Sequence, residues 1–195
     1  MNRKIAERYR RKELILKGAL KSYSKNGLEG MTMDDIAQES DFGKATIYYY
    51  FSSKEDIICA LLEAGWKDLW ESVEEMVVEN ISARKKFVKI LNQMADIVYK
   101  NKPLYEFLFT APRNINIPDN KASWKQYQGR TYATLQSVVD EGIDQGDFVD
   151  IKPELFMKAV GGIFHGIVFM GDQKKLKEKD IESLITNFIY PSWYS

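Results

Sequence analysis

The stretch Thr32–Asp56, TMDDIAQESDFGKATIYYYFSSKED, constrains the fold of this chain more than any other. Thr32 and Asp35 have the spacing of a helix N-cap and its capping partner, a weaker variant with Asp in place of Glu. Residues 41–43 then favour a turn, and a second short helix is predicted to begin at Lys44. The stretch therefore predicts two short helices joined by a tight turn, the arrangement that places a helix in a DNA groove.

The rest of the chain is also predicted to be helical. It contains only five prolines and no long run of strict alternation between apolar and polar residues, so helix is favoured over strand throughout. We predict an all-α fold of about nine helices, with an N-terminal three-helix helix-turn-helix domain over residues 1–53 and a C-terminal helical bundle effector domain over residues 54–195. The fourth helix is predicted to run unbroken from Lys54 to about Asn80 and to belong to both domains. The other predicted helices after the motif cover about residues 84–100, 103–110, 121–145, 153–170 and 179–189, and residues 111–120 are predicted to form a loop.

Charge is distributed unevenly, although the net charge is zero. Residues 1–25 contain nine Lys or Arg residues and two Glu residues, so the remainder carries an equal acidic excess. A basic segment beside a predicted helix-turn-helix indicates contact with phosphate, although a solvated helix face near a chain end fits the same pattern.

Composition also limits the cofactors and the location to be expected. Cys59 is the only cysteine and His165 the only histidine, so neither an intrachain disulfide nor a zinc site is predicted. The N-terminus lacks the apolar segment of a signal peptide, and the most apolar stretch, residues 159–170, is too short to span a bilayer. We expect a cytoplasmic protein with no cofactor and no membrane partner.

The motif resembles the DNA-binding domain of the TetR (tetracycline-repressor) family of bacterial regulators. The resemblance covers about residues 8–60, and the matching residues are Thr32, Asp35-Ile36-Ala37, Lys44-Ala45-Thr46-Ile47-Tyr48, Tyr50-Phe51 and Lys54-Glu55. This resemblance implies a homodimeric transcriptional regulator that binds double-stranded DNA. Two positions depart from the family pattern, because Asp41 replaces the usual Gly and Gly43 replaces the usual Ser or Thr. Gly43 lacks the hydroxyl that would touch a phosphate.

Seven residues are predicted to contact DNA. Only the first turn of a helix that points into the major groove reaches base edges, which sets different roles for the residues of the motif. The predicted contacts are Lys44 with guanine O6 or N7, Ala45 as a small residue that permits close approach, Thr46 with a thymine methyl, and Tyr48, Tyr49, Lys54 and Thr32 with phosphates. Ile36, Ala37, Ile47 and Phe51 are predicted to be buried.

The C-terminal domain is rich in aromatic residues, most of which are expected to fill its core. Bulky rings in a helical bundle also leave cavities in which apolar ligands bind, and members of the resembled family commonly hold a small effector there. The predicted ligand-binding residues for a small apolar or aromatic effector are Trp66, Trp70, Phe107, Trp124, Tyr127, Phe164 and His165. His165 is alternatively a structural histidine.

Three glycines lie within the predicted helix over residues 153–170, at Gly161, Gly162 and Gly166. Each costs about 1 kcal/mol of helix stability relative to alanine, which indicates close approach of another helix or of a ligand. The resembled family dimerises through its last two long helices, so this feature fits a homodimer.

The predicted function is therefore that of a sequence-specific transcriptional regulator, a repressor released from a palindromic operator by a small apolar effector. Control by a protein partner or by oxidation of Cys59, or action as an activator, remain alternatives. The chain lacks the GxSxG, P-loop, GxGxxG and HExxH motifs, so an enzyme is not expected. A non-specific architectural DNA protein would lack the large aromatic domain.

Overall fold

The computed structural model describes residues 3–110, 117, 122–170 and 177–184. Within these ranges the chain is helical and contains no β-strand, which confirms the all-α prediction. The helices are α1 (Arg3–Gly30), α2 (Met33–Glu39), α3 (Lys44–Tyr50), α4 (Lys54–Val73), α5 (Ala83–Lys100), α6 (Lys102–Thr110), α7 (Trp124–Asp144), α8 (Pro153–Met170) and α9 (Glu178–Leu184), with a 3-10 turn at Glu74–Met76. None of these described helices is both long enough and apolar enough to cross a membrane.

Contacts between residues divide the chain into two compact units. Unit 1 comprises Met1–Gly65 and Lys102–Lys125, and unit 2 comprises Trp66–Asn101 and Gln126–Ser195. The helix α4 contributes residues to both units. This division does not test the predicted functional boundary after residue 53, which stays a prediction.

Local sequence signals set the geometry of α1 and α2. Gly27 has a φ of 67°, a conformation that favours glycine, and produces a kink near the end of α1. One further helical turn follows, in which the Met31 N–H donates to the Gly27 carbonyl. Thr32 then caps α2 with the predicted capping box, since its hydroxyl accepts from the Asp35 N–H and its own N–H donates to the Asp35 carboxylate.

The turn between α2 and α3 depends on backbone conformation and close packing. Asp41 adopts a φ of 56°, as its tolerance of the left-handed region predicts. Close contact between α1 and α2 occurs at Gly18, where an added Cβ would lie 2.6 Å from the Cβ and 2.8 Å from the backbone nitrogen of Ser40. The predicted core residues Ile36, Ala37, Ile47 and Phe51 are all buried.

Unit 2 has an aromatic core between α5, α7 and α8. Phe87, Phe148 and Phe156 have ring centroids 5.0 to 5.6 Å apart. The Phe148 ring occupies the space that a side chain at position 142 would need, 2.2 Å from an added Cβ, which explains Gly142. The buried Lys86 ammonium lies 3.0 Å from a carboxylate oxygen of Glu141 and ties α5 to α7.

The predicted end of α4 near Asn80 is wrong. The helix ends at Val73, and a 3-10 turn replaces its predicted continuation. Glu71, Glu74 and Glu75 place three carboxylates at its C-terminal end, where the helix dipole disfavours negative charge. The α-helix is therefore about two turns shorter than predicted, and the residues predicted to form its last two turns lie outside it.

The boundaries of the later helices agree with the prediction to within three residues where they can be compared. The helix α6 begins at Lys102, one residue before the predicted Pro103, and α7 spans Trp124–Asp144. The limits of α8 are those predicted, and α5 begins one residue early with Ser82 as its N-cap. Apart from residue 117, the predicted loop over residues 111–120 lies outside the described residues, as does the predicted continuation of α9 to residue 189.

Candidate nucleic-acid interface

The helix α3 is fixed on one side and exposed on the other. Ile47 on its inner face is fully buried, and the Phe51 that follows it is 6% exposed. On the outer face Lys44, Ala45 and the next two tyrosines are exposed, with Tyr49 at 72% exposure. The positions of these residues, i, i+1, i+4 and i+5, form one continuous strip along the helix. The short helix thus presents a strip that matches most of the predicted DNA contacts.

The N-terminus of α3 combines an uncapped backbone with one ion pair. Gly43 is the N-cap and offers no side-chain hydrogen bond, so the first N–H groups of α3 are not capped by it. The Lys44 ammonium lies 2.7 Å from one carboxylate oxygen of Asp34 and 2.9 Å from the other. This hydrogen bond and the charge of Asp34 raise the pKa of Lys44, so the side chain stays cationic throughout the neutral range. A guanine or a phosphate would have to take Lys44 from Asp34.

The hydroxyl and the N–H of Thr32 already form hydrogen bonds in its capping box. Its hydroxyl donates to an Asp35 carboxylate oxygen at 2.6 Å, and its N–H donates to the same oxygen at 3.0 Å. A phosphate contact through this N–H would therefore have to displace Asp35. Asp34 adds a second carboxylate to the first turn of α2, so electrostatics do not favour an anion at this position in the described conformation.

Lys54 lies at the predicted position in the first turn of α4, but it has a protein partner. Its ammonium donates to the backbone carbonyl of Leu28 at 3.1 Å and is partly buried. This bond joins the start of α4 to the kinked end of α1. An ammonium has three donors, so one bond to a carbonyl leaves further donors that could reach a phosphate.

The last turn of α3 carries three consecutive tyrosines with different surroundings. Tyr48 is 47% exposed, whereas Tyr50 is half-buried. The rings of Tyr49 and Tyr50 pack edge to face with centroids 5.0 Å apart. Thr46, one of the predicted base contacts, is half-buried, so a base would have to approach its methyl group closely.

Sequence reasoning missed the partners of these cations. Asp34 lies ten residues before Lys44, and Leu28 lies twenty-six residues before Lys54. Neither separation corresponds to a helical or turn spacing, and a backbone carbonyl carries no signal in its residue type. Only the Thr32–Asp35 pair had a recognisable local signature.

The seven predicted effector contacts do not all belong to one unit. Phe107 is fully buried in unit 1 and packs edge to face against Tyr23 of α1, with centroids 5.0 Å apart. Trp124, also in unit 1, has a buried indole nitrogen with no hydrogen-bond partner among the described residues.

The other five predicted effector contacts belong to unit 2. Trp66 is 4% exposed and packs beside Tyr132 at 5.7 Å between centroids. The remaining four are half-buried, namely Trp70, Tyr127, Phe164 and His165. The His165 ring contacts Phe169 at 5.1 Å, which fits the alternative of a structural histidine. Among the described residues no group of three or more His, Cys, Asp or Glu could hold a metal ion.

A capped α2, a tight turn and an exposed α3 define a helix-turn-helix DNA-binding protein. Residues 15–61 match the profile of bacterial regulatory proteins, tetR family. The chain is 25% identical over 190 residues to YfiR, an HTH-type transcriptional regulator of Bacillus subtilis (89% of each chain). It is 26% identical over 187 residues to IcaR of Staphylococcus aureus, a negative regulator of the biofilm operon icaADBC, covering 94% of this chain and 82% of IcaR. The helix-turn-helix of this chain is therefore that of the tetR family, as its motif predicted.

Solved structures share this fold over most of their length. PfmR, a TetR-family regulator from Thermus thermophilus, has a TM-score of 0.75 and 21% identity, covering 88% of this chain and 92% of its own. AibR, solved with isovaleryl coenzyme A and operator DNA, has a TM-score of 0.76 and 16% identity over 93% and 98% of the two chains. FadR from Bacillus subtilis, solved with stearoyl-CoA, has a TM-score of 0.69 and 22% identity over 89% and 96%.

Proposed function

We propose that this transcriptional regulator is a homodimeric repressor that binds a palindromic operator and is released by a small effector with an apolar acyl chain. The observation that carries the proposal is the exposed strip on α3, which starts at an uncapped N-terminus and contains Lys44, Ala45 and two tyrosines. A short helix with small and cationic residues in its first turn is suited to the major groove.

The proposed contacts divide into base reading and positioning. Lys44, Ala45 and Thr46 would read base edges from the first turn of α3, where side chains reach deepest into the groove. Tyr48 and Tyr49 would hold phosphates beside the groove through their hydroxyls. Lys54 would bind a phosphate at the start of α4 with the donors that its bond to Leu28 leaves. Thr32 would bind one at the start of α2 once its N–H is released from Asp35.

The exposed face of α8 supports a homodimer. Leu155 is 54% exposed and Met170 is 80% exposed. Apart from the neighbouring backbone of α8 itself, no described atom lies within 4 Å of a Cβ built on Gly161, Gly162 or Gly166. Large apolar residues and a bare helix backbone fit contact with the same helix of a second copy across a two-fold axis.

The proposed effector class rests on the aromatic residues and on two structural neighbours. AibR was solved with isovaleryl coenzyme A, and FadR with stearoyl-CoA, so an acyl-coenzyme A is a suitable first candidate for this chain. The five predicted residues of unit 2, Trp66, Trp70, Tyr127, Phe164 and His165, would contact the acyl chain. Phe107 and Trp124 of unit 1 stay predictions from the sequence.

The helix α4 gives the proposed switch a physical basis. It runs without interruption from Lys54 in unit 1 to Trp66 and beyond in unit 2. An acyl chain beside Trp66 or Trp70 would shift this helix and, through Lys54 and its bond to Leu28, the start of the DNA-binding unit. The ligand would have to prefer the DNA-free geometry, because a ligand shifts an equilibrium only by its differential affinity.

One alternative, control by oxidation, receives less support. Cys59 is buried, so its thiol lacks the exposure that reactive cysteines require, and oxidation is not favoured as the signal. We further propose that the protein acts in the cytoplasm and has no enzymatic activity, in keeping with its family.

The test is binding of the full chain to the DNA upstream of its own coding sequence. Footprinting should reveal a symmetric protected site with half-sites about one helical turn, ~34–36 Å, apart, and sedimentation should give a dimer. Stearoyl-CoA should lower operator affinity by about 5–150-fold, and saturating operator should weaken stearoyl-CoA binding by the same factor. Coenzyme A without an acyl chain is the matched control. An asymmetric footprint, or stearoyl-CoA binding that operator leaves unchanged, would refute the dimeric operator or the effector, respectively.

A further inference from the structure

The first turns of α1 form a groove with the end of α3. This groove, hereafter the arm groove, has a volume of about 800 Å³ and is lined by Arg3, Lys4, Ile5, Glu7, Arg8, Arg11, Tyr49 and Tyr50. Four cations against a single carboxylate give these residues a net positive charge. Of the DNA contacts proposed above, the lining includes Tyr49 alone.

Several contacts hold the start of α1 beside α3. The Lys12 ammonium lies 5.5 Å from the centre of the ring of Phe51, the residue that directly follows α3. The Arg11 guanidinium pairs with Glu7 at 2.9 Å, and both this carboxylate and the Tyr50 hydroxyl raise the pKa of Arg11. The start of α1, with its cations, is therefore held against the end of α3 and does not form an independent tail.

Helical spacing places three of the four cations of the arm groove on one side of α1. Lys4, Arg8 and Arg11 follow one another at i, i+4 and i+7, so they share a face of α1. Because this face and Tyr49 line the same groove, the positive surface continues directly from the exposed strip of α3. A duplex held by α3 would have its sugar-phosphate backbone next to this surface.

We propose that the arm groove binds the DNA backbone next to the groove that α3 reads, through Arg3 and Arg8 in particular. This inference rests on the proposed binding of DNA by α3 and extends it. The occupant is a phosphodiester strand because the lining combines cations with tyrosine hydroxyls, which are donors suited to phosphate oxygens. Such contacts add affinity and position the protein, but they carry no base preference.

The test compares the full-length protein with the double variant Arg3→Gln/Arg8→Gln. Both arginines are exposed, so the fold should be retained, which a thermal melt checks. Dissociation constants are measured over a range of salt concentrations on the footprinted site and on random DNA. Each lost phosphate contact should lower the salt slope by about 0.9, hence by about 3.6 for two residues in each protomer of a dimer. The preference for the footprinted site over random DNA should stay the same.

The matched control is Lys100→Gln/Arg130→Gln, which removes the same charge from two exposed residues outside the arm groove. It should leave the salt slope unchanged. An equal effect of both double variants would assign the change to the overall charge of the protein and overturn the proposal, as would a wild-type slope for Arg3→Gln/Arg8→Gln. Hydroxyl-radical footprinting of this variant should lose protection at sugars while dimethyl sulfate protection of guanines remains.

Two further outcomes separate this inference from the proposed function. If the wild type binds random DNA without preferring any site, operator recognition fails, but the arm groove is still tested by the slope on random DNA. If Arg3→Gln/Arg8→Gln loses binding to phosphatidylglycerol vesicles and keeps its DNA slope, the groove is a lipid-headgroup site and the proposal is overturned. Wild-type protein that binds no DNA at all overturns both.

Discussion

The contact between Gly18 and Ser40 leads to a sharp prediction about the geometry of the DNA-binding unit. In Gly18→Ala the new methyl group would lie 2.6 Å from the Ser40 Cβ, 2.8 Å from its nitrogen and 3.0 Å from its Cα. Two of these atoms belong to the backbone, which cannot rotate away as a flexible side chain can. Ser40 is the C-cap of α2, so relief of the clash must move the end of α2 and the turn that carries α3.

The expected cost follows from the geometry. Overpacking of a tight contact costs about 1–3 kcal/mol, and the backbone atoms place this case toward the upper end. Alanine returns up to about 1 kcal/mol through its helix propensity, which leaves a net loss of about 2 kcal/mol. For a chain of this size the melting temperature should fall by roughly 4–8 °C.

Gly129→Ala provides the matched control. Gly129 is exposed within α7, and apart from the neighbouring backbone of α7 itself no described atom lies within 4 Å of a Cβ built there. The same substitution should therefore raise the free energy of unfolding by up to about 1 kcal/mol. Both variants are compared with the wild type by calorimetry at one protein concentration, because a dimer melts in a concentration-dependent way.

Operator affinity completes the test. Gly18→Ala should weaken binding to the footprinted site more than binding to random DNA, because misplacement of α3 affects base contacts most, whereas Gly129→Ala should bind both as the wild type does. A Gly18→Ala protein that melts at or above the wild-type temperature and keeps full operator affinity would refute the inference that this contact sets the position of α3.

Three further predictions concern the interface and the switch. Thr46→Ala should relax preference at one base step, by about 1–3 kcal/mol at most, whereas Lys54→Ala should lower the salt slope by about 0.9 per protomer without changing preference; identical sequence profiles for the two variants would contradict these roles. Asp34→Asn should strengthen binding to random DNA and steepen the salt slope, because it removes a carboxylate and releases Lys44, and unchanged affinity would show that the ion pair does not compete with DNA. Stearoyl-CoA should change tryptophan fluorescence in parallel with DNA release. A fluorescence change while the DNA stays fully bound would show that ligand binding near the tryptophans does not cause release.

Much of the helix-turn-helix could be predicted because its signals are local. The Thr32–Asp35 capping box, the left-handed Asp41 and the N-cap position of Gly43 depend on interactions within a few residues. Such interactions have the same geometry wherever they occur, so residue type and spacing are sufficient. Ile47 is buried, as the sequence predicted.

The end of α4 was not predicted correctly because two local signals disagreed there. Apolar residues continue at helical spacing beyond Val73, and this pattern favoured one long helix. The carboxylates of Glu74 and Glu75 oppose its dipole, and the chain leaves the α-helix at that point. The seven predicted effector contacts stay predictions, because periodicity does not distinguish a ring that fills a core from one that lines a cavity.

The sequence by itself determined that this protein is helical, that it carries a helix-turn-helix and that its basic residues cluster near the start of the chain. Tertiary structure decided which groups the cations meet: Asp34 for Lys44, the Leu28 carbonyl for Lys54, and the tyrosines at the end of α3 for the basic residues at the start of α1. It also decided that no side chain fits at Gly18. The physical reason is that charge and helix propensity belong to a residue and its near neighbours, whereas ion pairs and close contacts depend on distances between segments that only folding brings together.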